Sequence, residues 1–334
     1  MKNFKTKKEF EGKVFLITGG TGSFGKKCVE LLLKEYHPKV IRVYSRDELK
    51  QHNMDMEFKS EKIRYFIGDV RDRKRLARAL KDVDYVIHAA ALKQVPACEY
   101  NPIEAVKTNI QGTINVIETS IDLNIDKVIC LSTDKAATPV NLYGATKLVA
   151  EKLIIQSNSY VGTGNTKLGV VRYGNVIGSR GSVIPIFKKQ ALEGQFTITH
   201  KDMTRFWITQ SQAVHFILNC LRDMKGGEIF VPKLPSMKIM DLTKILNPKA
   251  KIKFIGIRPG EKIHETLLTE MESYHALEFD DYFIIEPEHP FWKEKKIKGG
   301  KGLPSDFTYD SKNNKWWLKT DELKKIVNEL KDSE

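Results

Sequence analysis

The residues that could do chemistry lie in three short stretches. Tyr143-Gly-Ala-Thr-Lys147 places a phenol and an amine four residues apart, on one face if the stretch is helical. An unperturbed phenol keeps its proton up to a pKa of about 10. A nearby ammonium and a positive nicotinamide favour the phenolate, so the pattern predicts a lowered Tyr143 pKa and a base that takes a proton from an alcohol during hydride transfer. A packed Tyr beside a surface Lys gives the same spacing. Upstream, Ser132-Thr133-Asp134-Lys135 ends an apolar run, and near the N-terminus Thr18–Gly25 reads TGGTGSFG. Hydroxyl, Tyr and Lys in that order, after a glycine turn, are much more specific than any one of them.

The turn follows an apolar run and opens a helical one, the context in which glycines let the backbone approach a pyrophosphate and the helix offers its N-terminal amides. Gly19, Thr21, Gly22, Ser23, Phe24 and Gly25 form the expected cradle, with an ordinary glycine-rich turn as the alternative. The next strand ends in Tyr44-Ser45-Arg46-Asp47. Arg46, with Ser45 and Lys50, favours the 2′-phosphate of NADP. Asp47 speaks for a ribose instead. Asp69, after the third strand, could read an adenine edge or cap a helix.

These groups need a frame. Short apolar runs at Lys13–Thr18, Val40–Tyr44, Ile63–Ile67, Tyr85–Ala89, Val128–Ser132 and Leu168–Tyr173 alternate with helical patterns at Lys26–Tyr36, Leu76–Leu80, Pro102–Leu123 and Leu142–Ser157. That alternation predicts an α/β fold with a Rossmann-type, doubly wound parallel sheet. After about residue 178 glycine and proline become frequent, though Glu228–Val231 could return to the sheet. The expected division is a dinucleotide-binding domain, 1–178 plus about 206–232, and a smaller, irregular substrate lobe, 179–205 and 233–334.

The 334 residues are 41% hydrophobic and 29% charged, a globular profile. No apolar run approaches the roughly 18 residues of a membrane helix. The N-terminal MKNFKTKKEFEGK has charge without an apolar core, so neither a secretory leader nor membrane attachment is expected. Four scattered cysteines (Cys28, Cys98, Cys130, Cys220) read as reduced thiols in a cytoplasmic protein, with no metal site. The net charge of +13 is carried by dispersed lysines. No arginine-rich helix or aromatic-basic pattern accompanies it, and no nucleic-acid partner is expected.

The chain resembles the extended short-chain dehydrogenase/reductases, and within them the UDP-N-acetylglucosamine 4,6-dehydratases that invert carbon 5, which open pseudaminic acid synthesis. The resemblance rests on TGGTGSFGKK, YSRDELKQ, STDKAATPVNLYGATK, VRYGNVIGSRGSVIP, MTRFWIT and GIRPGEK, spread over roughly residues 13–265. Membrane-bound relatives carry Met at the catalytic Tyr position; Tyr143 aligns this chain with the soluble group. The resemblance implies Thr133, Asp134, Lys135, Tyr143 and Lys147 as catalytic residues, with Asp134 the acid and Lys135 the carbon 5 base. Retaining dehydratases have Asp-Glu at that point. A lysine base must be neutral, which requires a depressed pKa.

The resemblance further implies an NADP surface of Glu48, Val70, Ala89, Lys93, Leu131, Ser132 and Asn175, beside the cradle and strand-end residues above. It implies UDP-N-acetylglucosamine contacts from Lys93, Asn175, Val176, Arg180, Val183, Thr197, Arg205, Arg258 and Glu261. It also implies a homo-oligomer, built on a dimer through the helices around Asn109 and Leu148 and extending to a hexamer in relatives. A UDP-sugar 4-epimerase, which does not need Asp134-Lys135, and a non-catalytic NADP-sensing regulator are the competing readings.

Overall fold

A computed structural model describes residues 8–178, 182–288 and 297–329. Six strands carry the first half: β1 Val14–Thr18, β2 Val40–Ser45, β3 Ile63–Ile67, β4 Tyr85–His88, β5 Lys127–Thr133 and β6 Lys167–Tyr173. Then follow β7 Asn175–Val176, β8 Gln195–Ile198, β9 Thr204–Ile208, β10 Ile229–Pro232, β11 Ser236–Lys238 and β12 Lys251–Phe254. The last are β13 Thr266–Leu268, β14 Ala276–Glu278, β15 Tyr282–Ile285, β16 Lys301–Gly302 and β17 Tyr309–Asp310.

The main sheet runs β3-β2-β1-β4-β5-β6-β10-β15-β14-β16. From β3 to β10 it is parallel. The four strands β1, β4, β5 and β6 are almost wholly buried, which is why they read as continuous apolar runs. The Rossmann-type sheet expected from the alternation is present, and β10 is the returning strand. Antiparallel β15, β14 and β16 extend the sheet with residues that read as lobe. Strands of two to four residues are too short to show periodicity.

The helices are α1 Ser23–Leu31, α2 Glu48–Phe58, α3 Arg73–Leu80, α4 Val95–Tyr100, α5 Pro102–Val106, α6 Gly112–Asp122, α7 Leu142–Gln156, α8 Val183–Glu193, α9 Gln210–Asp223, α10 Ile239–Leu246, α11 Glu270–Ser273 and α12 Thr320–Glu329. The single helix expected over Pro102–Leu123 is interrupted by a π turn at Lys107–Gln111. There Asn109 is drawn onto the loop after β4: its Oδ1 accepts from Leu92 N and its Nδ2 donates to Leu92 O, at 2.8 and 2.9 Å. The helical stretch ending at Tyr36 likewise closes on a π turn, Leu32–Tyr36.

Two apolar cores form among the described residues. The larger lies on the main sheet. The smaller gathers Phe187, Phe196, Trp207, Leu242, Leu323 and their neighbours from α8, β8, β9, α10 and α12. Arg172 in β6 is fully buried, and its five N–H groups are all used. They go to Glu151 of α7 (3.0 and 2.6 Å), Glu272 of α11 (2.9 and 2.8 Å) and the Leu267 carbonyl (3.0 Å). This triad fixes α7 against the C-terminal strands. Arg172→Met would leave the buried carboxylate of Glu151 and the partly buried one of Glu272 without their partner. It is expected to cost about 3–5 kcal/mol, read as a drop in the urea unfolding midpoint.

His88 closes β4 beneath the glycine turn. Its Nδ1 faces Thr18 Oγ1 at 2.7 Å and its Nε2 faces Thr113 Oγ1 at 3.1 Å. The Thr113 hydroxyl donates to Asn109 O at 2.7 Å, so it accepts from Nε2–H, and Nδ1 accepts from Thr18. Burial, reinforced by the Lys147 ammonium, pushes the His88 pKa down to about 3. An unfolded imidazole titrates near 6.5. Between those values the unfolded chain takes up a proton that the folded chain refuses. This contribution to stability is therefore complete above about pH 6.5 and is lost as the pH falls toward about 3. His88→Gln is expected to flatten that limb in urea midpoints measured at stepped pH.

Candidate active site

A continuous cleft of about 1270 Å³ runs over the C-terminal ends of the parallel strands and down to the smaller core, where an open α/β sheet places its ligands. At one end Gly19 takes a left-handed conformation (φ 66°) against the Ala90 backbone. A Cβ on Gly25 would lie 2.5 Å from Gly20 Cα and O. These glycines bring α1 onto the turn, and the N-cap, Gly22, supplies no side-chain cap to its first amides. The donors suit a pyrophosphate.

At the end of β2, Asp47 is the N-cap of α2: its Oδ1 accepts from Lys50 N at 3.0 Å, and its Oδ2 pairs with the Lys50 ammonium. That commits Asp47 locally. Arg46 is exposed at the cleft, 3.8 Å from Asp69. Asp72, not Asp69, caps α3, so the cap reading of Asp69 falls. Asp69 lines the cleft, and Arg71 and Arg46 hold its carboxyl below the usual range against the opposing effect of burial. Glu48 begins α2 facing solvent and is not part of the cleft wall, because the chain has already turned outward at the cap.

The catalytic end is built on β5 and α7. Asn141 caps α7 by accepting from Gly144 N at 2.8 Å. A Cβ on Gly144 would lie 2.3 Å from the Lys135 carbonyl oxygen, so only glycine lets α7 sit this close to the loop after β5. Thr133 and Tyr143 line the cleft together, and the Thr133 hydroxyl donates to Asp134 Oδ1 at 3.0 Å. Lys147 is buried on the same helix face, and Asn109 Nδ2 donates to Thr146 at 3.0 Å. The Tyr143 pKa is raised, contrary to the expectation from spacing: burial outweighs the Lys147 and Lys135 ammoniums and the Thr133 hydroxyl.

Lys135 Nζ lies 2.9 Å from Asp134 Oδ1 and 3.5 Å from Glu265 Oε1. Burial alone would lower the Lys135 pKa, but the two carboxylates outweigh it and hold it above the ordinary lysine range. The depressed pKa that a lysine base requires is thus not present in the protein as folded. Asp134 is fully buried behind the residues that line the cleft, and its Oδ2 has no hydrogen-bond partner among the described residues.

Phe24, Ser45, Lys50, Val70, Ala89, Lys93, Leu131 and Ser132 also line the cleft, as do Asn175, Val176, Val183, Thr197, Arg205, Arg258 and Glu261. Arg180 lies outside the described residues. Arg205 is buried, with its guanidinium on the carbonyls of Thr204, Lys262 and Ile263. Arg258 is exposed, 3.8 Å from Glu261. Sequence reasoning missed Glu265 and Trp207. Both are buried in the cleft wall with a polar atom, Oε2 and Nε1, that has no hydrogen-bond partner among the described residues. Trp207 stands among apolar residues of β9, and Glu265 lies three residues beyond GIRPGEK with no motif of its own, so neither stood out. Unpartnered atoms at Ser132 and Asn175 face the same space. Such donors and acceptors, with the glycine cradle, fit a dinucleotide.

Residues 15–287 match the family model described as "Polysaccharide biosynthesis protein". The chain belongs to that family. Within reach of it, the inverting UDP-N-acetylglucosamine 4,6-dehydratase of Campylobacter jejuni is 50% identical, with 96% of this chain and 98% of the relative covered. A protein named UDP-glucose 4-epimerase from Rickettsia rickettsii is 42% identical, over 95% of this chain and 96% of that one. The X-ray structure of Pen from Bacillus thuringiensis superposes with a TM-score of 0.88 at 41% identity, covering 96% of this chain and 98% of that chain. The family resemblance carried by the motifs agrees with these matches.

Gly25→Val is expected to push α1 off the glycine turn and to weaken binding of a nicotinamide dinucleotide at least about tenfold. Calorimetric titration reads this; unchanged affinity would place the dinucleotide elsewhere.

Proposed function

We propose that this chain dehydrates UDP-N-acetylglucosamine with inversion at carbon 5, giving UDP-2-acetamido-2,6-dideoxy-β-L-arabino-hexos-4-ulose. The observation that carries the reading is Lys135, which lines the cleft with Thr133, Tyr143 and Lys147 and is paired at 2.9 Å with the fully buried carboxylate of Asp134. The 50% identity to a dehydratase of that name supports it.

NADP, when bound, supplies the hydride acceptor at carbon 4, the donor at carbon 6 and a positive ring beside the phenol. It would rest on the glycine cradle, Ser45, Arg46 and Lys50. The choice over NAD is supported by exposed Arg46 and by the commitment of Asp47 to a helix cap. Tyr143 takes the proton of the carbon 4 hydroxyl, whose oxygen Thr133 holds. The Lys147 and Lys135 ammoniums favour the phenolate. A carbon 4 ketone makes the carbon 5 proton acidic.

Elimination then needs an acid for the carbon 6 hydroxyl and a base for carbon 5. As folded, the pair is a carboxylate and an ammonium 2.9 Å apart. Moving one proton across that contact yields a carboxylic acid and a free amine, the two groups required, without a proton from water. Asp134 protonates the departing hydroxyl and Lys135 takes the carbon 5 proton. The pair is then an ion pair again, and water has been lost. Reprotonation of carbon 5 on the opposite face gives the inverted sugar. The product would enter pseudaminic acid synthesis, and the enzyme would act in the cytoplasm as a dimer-based homo-oligomer.

The 42% identity to proteins named 4-epimerases favours a second reading, in which only carbon 4 changes. Incubation with UDP-N-acetylglucosamine in heavy water, followed by NMR, separates the two. The expected product is a 4-keto-6-deoxy sugar, deuterated and inverted at carbon 5. A carbon 4 epimer with no deoxy carbon would overturn the dehydratase reading. Tyr143→Phe is expected to lower turnover at least about a hundredfold while NADP stays bound.

A further inference from the structure

Glu265, just ahead of β13, is 2% exposed and faces three cations: Lys135 at 3.5 Å, Lys262 at 3.6 Å and Arg205 Nε at 3.7 Å. The same molecule shows how a carboxylate is held when its work is only structural. Glu151 and Glu272 each bind Arg172 through both oxygens at hydrogen-bond distance. Glu265 is different. It is as deeply buried as Glu151, yet among the described residues its Oε2 accepts no hydrogen bond and its cations stand at 3.5 to 3.7 Å. Long contacts give up local stability but keep a strong field, because Coulomb attraction in a desolvated site falls only slowly with distance.

The surrounding contacts tie this carboxylate to the far end of the cleft. Asn141, the cap of α7, donates to Gly260 O at 2.8 Å, and Lys262 Nζ donates to Thr138 Oγ1 at 2.8 Å. Arg205 holds the carbonyls of Lys262 and Ile263 at 2.9 and 3.0 Å. The segment carrying Arg258 and Glu261 is therefore fastened on both sides of the loop that carries Asp134 and Lys135.

We propose that Glu265 is a positioning residue: its buried carboxylate holds Lys135 against Asp134 and joins that pair to the Arg258–Glu265 segment. Its importance for catalysis rests on the dehydratase reading, in which Lys135 serves carbon 5. The charged and titratable groups facing Lys135 are Asp134 beside it, Glu265, Arg205 from β9, Lys262 and Tyr143 from α7. Of these, Asp134 and Glu265 stabilise the ammonium, whereas Arg205 opposes it. Burial and Lys135 itself hold the Lys262 pKa below the ordinary range, against the opposing carboxylates of Glu265 and Asp134. Removing the Glu265 charge must make Lys135 easier to deprotonate.

The test reads Lys135 directly in the purified full-length protein without substrate. Trace acetic anhydride labels neutral amines, and mass spectrometry follows the acetylation rate of Lys135 relative to surface lysines from about pH 7 to about pH 11; where the midpoint lies above that window, each unit by which it falls raises the relative rate about tenfold. In Glu265→Gln the labelling midpoint of Lys135 is expected to fall by about one to three pH units. Glu265→Asp, which keeps the charge but withdraws it by one methylene, is expected to fall between Gln and wild type, and it serves if the Gln variant does not fold. The alkaline limb of the dehydration rate should move down with the labelling midpoint. An unmoved midpoint in folded protein would reduce Glu265 to a structural carboxylate and overturn the proposal. A moved midpoint in a protein that makes no carbon 5-deuterated product would leave the Glu265–Lys135 link standing and remove the dehydratase reading instead.

Discussion

The site depends on one close approach, between the first turn of α7 and the loop after β5. At Gly144 the helix backbone is so near the Lys135 carbonyl that a methyl group would sit 2.3 Å from it. Tyr143 and Lys147 belong to the helix, Thr133, Asp134 and Lys135 to the strand end, and this contact turns two patterns into one constellation. The surrounding structure maintains it. Arg172 anchors the far side of α7 to the C-terminal strands, Asn109 holds its face through Thr146, and Asn141 fastens its start to Gly260. Each is a polar contact in a poorly hydrated place, where a lost partner is costly.

Electrostatics divides the cleft into two kinds of territory. At the dinucleotide end, charges are satisfied locally: Asp47 by a helix start and Lys50, Asp69 by Arg71. What remains available there is the exposed guanidinium of Arg46 and the amides of the glycine turn. At the sugar end, two buried carboxylates and three cations share one small volume. The charges there are not matched one to one, so the protonation of each depends on the others. A single substitution in that set acts on the chemistry even when it touches no reacting atom.

Much of the frame is legible in the sequence, because parallel strands buried on both faces must be apolar and the turns between them must be short. The strand limits read from Ile63–Ile67 or Leu168–Tyr173 agree with the structure to within a residue. The glycine cradle and the Tyr143–Lys147 pair are legible for the same reason, being local. What is not legible depends on distance or on a balance. Glu265 reaches Lys135 across more than a hundred residues of chain, and Trp207 looks like one more apolar position of β9. Tyr143 and Lys135 titrate according to the net of burial and neighbours, and in both cases the sign differs from what catalysis by the isolated residue would suggest. The short strands β14 to β16 are fixed by the open edge of β10 and not by any pattern of their own.

The π turn at Lys107–Gln111 has a consequence for how this chain can change over generations. A π turn is one residue more than the regular helix around it would hold. Removing that residue would restore an ordinary α-helix and improve its internal hydrogen bonding. It would also rotate Asn109 by about one hundred degrees, one step of the helix, away from Leu92 and Thr146. The length of this segment therefore matters more to the site than its composition: a deletion here would cost Asn109 its contacts, whereas a substitution at an exposed position would leave them in place.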